Sequence, residues 1–231
     1  MSWQAKPRLI STPVPDARAK PGPAVVAVPS ANARVSNGLK EFLWLLSDST
    51  QGRILDLGQV SQATLTFFIE KGFRVSTEDL LRAWKEFLVA EEENFRKAPV
   101  GDPVENVSPT MFADKFLASD LQYPAEHFHG VLAWDIFDYL DAQLLPKVMD
   151  RLYTMLRPGG AVLSLFHSRT PERFCRYRIA DPQTIELLPA STLSVHARVF
   201  QNREILDIFG KFRSSKTFVG RDQVREGLFL K

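Results

Sequence analysis

Ile54-Leu55-Asp56-Leu57-Gly58 is the stretch that decides the fold. A short, mostly apolar run after Gly52-Arg53, stopped by a glycine, reads as a buried strand. Immediately downstream, Ser61 is placed to cap a helix whose stripe is Leu65, Phe68 and Ile69 and whose end is Gly72. Residues 73–77 then read as a second strand closing on the acidic pair Glu78-Asp79. Asp79 caps a long helix with Leu80, Trp84, Phe87, Leu88 and Glu91 at helical spacing. Upstream, Leu39, Phe42, Leu43 and Leu46 share one face of a helix over residues 36–47.

The alternation continues outward from this unit. Residues 98–108, with Pro99, Gly101 and Pro103, are loop-like, and a short helix follows over 110–117. Residues 128–134 form a third strand, and 143–156 a helix with Leu145, Val148, Met149, Leu152 and Leu156 inward. Arg157-Pro158-Gly159-Gly160 is a tight turn into the apolar strand 161–166. Asn202 caps a last helix, ended by Gly210, and strands over 212–219 and 224–230 are joined by Gly220-Arg221-Asp222 as a hairpin. Strands alternating with helices predict an α/β fold with a parallel sheet and helices on both faces. The closing hairpin adds an antiparallel edge.

Composition narrows the function classes. The chain of 231 residues is 45% hydrophobic and 24% charged, with 17 Phe, enough for a sizeable aromatic-rich core. Residues 1–35 carry five basic groups and one acid, net +4, and the remainder is −2 overall. The folded part therefore offers no broad basic face, and no nucleic-acid partner is expected. Six prolines in residues 1–34 predict a disordered leader, leaving 35–231 as the domain. Cys175 is the single cysteine, so no intrachain disulfide and no thiolate metal site can form, and no metal is expected. No apolar run approaches the ~20 residues of a membrane span, and no secretory signal is evident, so the expected location is cytoplasmic with no membrane partner.

In such a sheet, ligands bind beyond the carboxyl ends of the strands, where strand order reverses. Glu78 lies 20 residues after Gly58, the separation at which a carboxylate meets ribose hydroxyls. The strand at 54–58, the acid Glu78, the stretch Phe128-His129-Gly130-Val131-Leu132-Ala133-Trp134-Asp135 and the turn Leu156-Arg157-Pro158-Gly159-Gly160 occur in an order and spacing that resembles class I S-adenosylmethionine (SAM)-dependent methyltransferases. The resemblance covers about residues 36–231. It implies a Rossmann-like, mostly parallel seven-stranded sheet whose last strand is inserted antiparallel.

The resemblance also implies a cofactor, SAM, and roles for residues. Gly58 would lie against the methionine part, and Asp56 would hold the loop or the ligand's amino group. Glu78 would take the ribose hydroxyls, with Asp79 as its rival. Asp120 would meet adenine, and Trp134 would line the methionine end or pack in the core. Asp135, Asp138 and His167 are the candidate catalytic bases, His167 being expected at the cleft mouth. Residues 168–200, with Arg173, Arg176, Tyr177, Arg178 and His196, would face a small-molecule or protein acceptor or form an exposed loop and edge strand.

The loop departs from the resemblance. Asp-Leu-Gly-x-Gly-x-Gly is replaced by Asp56-Leu57-Gly58-Gln59-Val60-Ser61-Gln62. Positive φ is costly for β-branched Val60, so the loop must take another path. Either it is rebuilt and methyl transfer from SAM persists, or the pocket is closed and the domain is a catalytically inactive binding module. A nicotinamide-dependent oxidoreductase would share the strand and acid spacing but not the late turn and hairpin.

Overall fold

The computed structural model describes residues 32–49, 51–97, 109–191, 198–220 and 222–231. The expected leader, apart from its last three residues, the 98–108 loop, His196 and Arg221 lie outside these.

The central sheet contains β2 (Arg53–Asp56), β3 (Arg74–Thr77), β4 (Phe128–Trp134), β5 (Leu156–His167), β8 (Ser214–Val219) and β9 (Val224–Leu230). Their spatial order is β3-β2-β4-β5-β9-β8. The pairs β3-β2, β2-β4 and β4-β5 are parallel, and β9 runs antiparallel between β5 and β8. The strand inserted antiparallel near the end of the chain agrees with the expected topology. The count differs. Among the described residues the sheet has six strands, and β3 is its outer edge. Between β3 and β4 the described residues form two helices, α3 (Leu80–Lys97) and α4 (Pro109–Ser119), on either side of residues 98–108. Trp84, Phe87, Phe112 and Phe116 lock these two helices together through ring contacts.

Strand alternation splits the core into two layers. Leu55, Val131, Ala133, Val162, Phe166 and Phe229 face α3, α4, α5 (Leu144–Met155) and α6 (Asn202–Ile208). Ile54, Leu132, Leu163, Leu165 and Leu228 face α1 (Asn37–Leu45) and α2 (Gln62–Glu70). Ser36 and Ser61 cap α1 and α2, each accepting from a backbone N–H three residues on. Asn202, expected as a cap, is the first residue of α6 instead. The reciprocal contact at this helix start runs from Gln201 N to Glu204 at 2.7 Å.

Residues 168–200 do not remain a loop with one edge strand. β6 (Cys175–Asp181) and β7 (Thr184–Pro189) pair antiparallel, and β1 (Ala33–Val35) adds to β7, giving a separate three-stranded sheet. β1 includes Ala33 and Arg34, so ordered structure begins inside the segment expected to be the leader.

Candidate active site

Between β2 and β4 the strand order reverses, and the crevice beyond their carboxyl ends is the natural ligand position. Leu57, Gly58, Asp79, Trp134, Asp135 and Tyr177 are among its walls. It is nearly full. The cavity left is about 20 Å³, room for about one water, against roughly 300–1,000 Å³ for a small-molecule pocket.

Trp134 fills it. Its register in β4 is irregular against β5, and its φ is +47°, a left-handed conformation that non-glycine residues rarely hold. The indole Nε1 donates to Asp56 Oδ1 at 2.7 Å, and the same oxygen accepts from the Gly58 N–H at 3.0 Å. A Cβ on Gly58 would stand 2.5 Å from the indole Cδ1, so the glycine is what lets the ring approach. On its other side the indole stacks on Tyr177, with centroids 5.5 Å apart and planes 6° from parallel. Burial pushes the Asp56 carboxyl up to about 6, against the pull of its two donors. The loop has found another path, as Val60 required: neither Val60 nor Gln62 takes a positive φ.

Beside the indole lies a cluster of ionisable groups. Tyr177 Oη donates to Asp135 Oδ2 at 2.8 Å. His167 Nδ1 is 3.8 Å from that same oxygen and 3.0 Å from Asp138 Oδ2, which also accepts from the His167 backbone N–H at 2.8 Å. Asp138 is fully buried, and its Oδ1 has no partner. Burial raises the Asp135 carboxyl to about 7, the His167 charge and the Tyr177 bond opposing it. Burial raises Asp138 as well. Burial alone would lower His167, but its bond to Asp138 and the charges of both acids raise it overall. Asp135 therefore exchanges its proton near neutrality, the range in which a general base works.

The crevice brings together Gly58, Trp134 and Asp135, with Asp56 buried behind the indole. Glu78, at the end of β3, is engaged at 2.5 Å by Tyr123 Oη, whose ionisation burial and Glu78 push up to about 12. Asp120 does not line the crevice; its Oδ2 accepts from Ser119 Oγ, and Tyr123 is the residue that reaches Glu78. Nor does His167 open on the crevice. It stands behind Asp135 with Asp138, because the bonds to Asp138 turn the ring inward. Asp79 lines the crevice and also pairs with Arg82 at 2.9 Å. Tyr123 and Tyr177 were not singled out from sequence as partners of these acids. For Tyr177, the alternation with Ile179 against Arg176 and Arg178 marks an inward face; for Tyr123 no local signal exists.

SAM tests this crevice in two ways. The residue types fit: a glycine for close approach and carboxylates for the ribose and amino groups. The space does not fit while the indole is seated, since a ligand of that size cannot enter 20 Å³.

No protein-family profile and no curated protein sequence matches the chain. Solved structures do. One is the 1,6-didemethyltoxoflavin-N1-methyltransferase of Burkholderia thailandensis, bound to 1,6-didemethyltoxoflavin and S-adenosylhomocysteine. It is 15% identical, matched over 85% of this chain and 79% of its own, with a TM-score of 0.42. The glycopeptide N-methyltransferase MtfA, complexed with SAM, is 14% identical over 91% of this chain and 99% of its own, at 0.40. An O-methyltransferase family protein from Burkholderia thailandensis is 12% identical over 84% and 54%, at 0.44. The strand order, with β9 antiparallel between β5 and β8, shows an α/β domain with a mostly parallel sheet, and this rests on the topology rather than on the likeness.

Proposed function

We propose that this chain is a SAM-dependent methyltransferase acting on a small-molecule or protein acceptor. The observation that carries the reading is Asp135, a buried carboxyl with a pKa of about 7 that lines the crevice at the strand-order reversal. Burying Asp135, Asp138, His167 and Tyr177 side by side costs stability, and apolar residues of similar volume would pack as well. Such clusters gather where chemistry is done. SAM supplies the activated methyl group. Glu78 is the residue for the ribose hydroxyls, with Gly58 and Asp56 toward the methionine end. Asp135 takes the proton of the acceptor's nucleophile, and His167 and Asp138 hold the charge behind it. Tyr177 orients Asp135 and helps exclude water. Trp134 must first leave the crevice, breaking one charge-assisted hydrogen bond and one ring stack. That costs on the order of 2–4 kcal/mol, which the ligand has to offset.

The same seated indole favours a second reading, a methyltransferase-fold module without catalysis. Titration calorimetry with S-adenosylhomocysteine on the wild type and on Trp134→Ala separates the two. Weak binding by the wild type and tighter binding by the variant support the enzyme. No heat from either protein at millimolar ligand supports the module.

A further inference from the structure

We propose that the cavity at the amino ends of β4 and β5, at the opposite end of the sheet from the crevice, is a binding site for the phosphate group of a small molecule. The cavity measures about 400 Å³ and is lined by Asp48, Ser49, His129, Arg157 and Gly160 among others. That is within the size range of small-molecule sites.

The His129 ring sets the chemistry of the wall. Its Nδ1 accepts the Arg53 backbone N–H at 3.0 Å, so Nδ1 carries no proton and the neutral ring has its hydrogen on Nε2. Arg157 Nη1 stands 2.6 Å from that Nε2. Two donors therefore face one another across the cavity wall, and neither satisfies the other. An oxygen acceptor placed between them would take both, with the nitrogens spreading apart to admit it. A doubly protonated ring is no remedy, because burial and then the charges of Arg157 and Arg53 disfavour it.

The surroundings suit an anion. Among the described residues neither Arg157 nor Arg53 has a carboxylate within ion-pair distance; Arg53 Nη1 rests 3.1 Å from His127 Nδ1 instead. Ser49 adds a hydroxyl to the lining. Two features oppose it: Asp48, and the carboxyl end of α1, whose Leu45 lines the cavity. The positive character of the site rests on the arginines. Guanidinium with imidazole N–H recognises phosphate oxygens through charge-assisted bonds, and no acid within the ion-pair limit neutralises the pair. The His129 and Arg157 contact plays no part in methyl transfer, so this site and the crevice stand or fall separately.

The test is calorimetric titration of the full chain with inorganic phosphate at constant ionic strength, with acetate as a second arm to show whether a carboxylate substitutes. The His129 imidazole ¹H–¹⁵N resonances are followed in parallel. Saturable phosphate binding that shifts the His129 ring signals is expected. Arg157→Gln should weaken that binding by about tenfold or more. This exposed substitution should leave the thermal midpoint unchanged. Asp48→Asn should tighten binding. Absence of saturable binding at tens of millimolar phosphate overturns the proposal, as does equal binding by Arg157→Gln or acetate binding as tightly as phosphate.

Discussion

Trp134 is 3% exposed and joins Asp56, Gly58 and Tyr177, so its removal has two opposed effects. Trp134→Ala should lower unfolding free energy by about 3–5 kcal/mol, read from urea denaturation, while opening the crevice. A variant that loses stability and gains affinity for S-adenosylhomocysteine has lost a gate. One that loses stability alone has lost only core. Asp135 makes a second prediction at this scale. A carboxyl whose folded pKa lies above its unfolded value near 4 favours the folded state while protonated. Its contribution is full below pH 4 and is lost as pH rises toward 7. Asp56 and Asp138 act with the same sign, and so does the raised His167. Asp135→Asn keeps an acceptor for Tyr177 but does not titrate. Thermal midpoints measured from pH 4 to pH 7 should therefore show the variant gaining on the wild type as pH rises. A constant difference across that range would mean that Asp135 is ionised throughout. Asp56, Trp134 and Asp135 were legible as neighbours, because strand ends bring them together. The seated indole was not, since it depends on a positive φ and an irregular register that no residue pattern announces.

Among the elements, β1 has the least sequence signal and an unexpected tie. Arg34 is buried, and its Nη2 donates to Glu226 Oε1 at 2.8 Å across 192 residues. The other Glu226 oxygen accepts from Ser36 Oγ at 3.0 Å and from the Gly38 N–H at 2.5 Å. One buried carboxylate on β9 therefore fixes β1 and the start of α1 together. Arg34→Ala leaves that carboxylate without its cation, and breaking a buried pair from one side costs about 3–5 kcal/mol. Urea denaturation of the variant should show this loss; a loss below about 1 kcal/mol would mean that the pair behaves as an exposed one. Proline content upstream drew the expected boundary at residue 34, because composition averages over a window and cannot isolate one arginine with a distant partner. β6 and β7 are marked only by a short alternation, Tyr177 and Ile179 inward against Arg176 and Arg178 outward, which the mixed charge of the surrounding stretch obscures.

At the scale of the molecule, the central sheet was legible because β2, β4 and β5 carry apolar runs, while the polar strands β3 and β8 are placed by the glycine or acid that ends them and by the helices that alternate with the strands. Its strand number rests on the described residues, which carry six; the loop-like reading of 98–108 lies outside them. The three-stranded sheet is anchored by Tyr177, Ile179 and Ile185, which share a buried layer with Leu39, Phe42 and Phe68, and by the pairing of Arg34 with Glu226, but the rest of β6 and β7 is half-buried or exposed. Ile179 N donates to Thr64 Oγ1, Tyr177 Oη to Asp135, and Ser36 N to the Gln183 carbonyl. By contrast, β4 lies between two strands in the middle of the central sheet and is buried over nearly its whole length. Regions with fewer buried contacts open at lower free energy, so amides of β6 and β7 should exchange with deuterium well before those of β4 and β5. Tyr177 rides on β6 and covers the indole, so this difference bears on how the crevice opens. If β6 exchanges early, and S-adenosylhomocysteine slows exchange at 56–78 while leaving β4 unchanged, the small sheet swings away to admit a ligand. If β6 is as protected as β4, the sheet is fixed. The only remaining route is then rotation of Trp134 within a closed frame, for which the 20 Å³ beside it leaves no room. That outcome would favour the non-catalytic module.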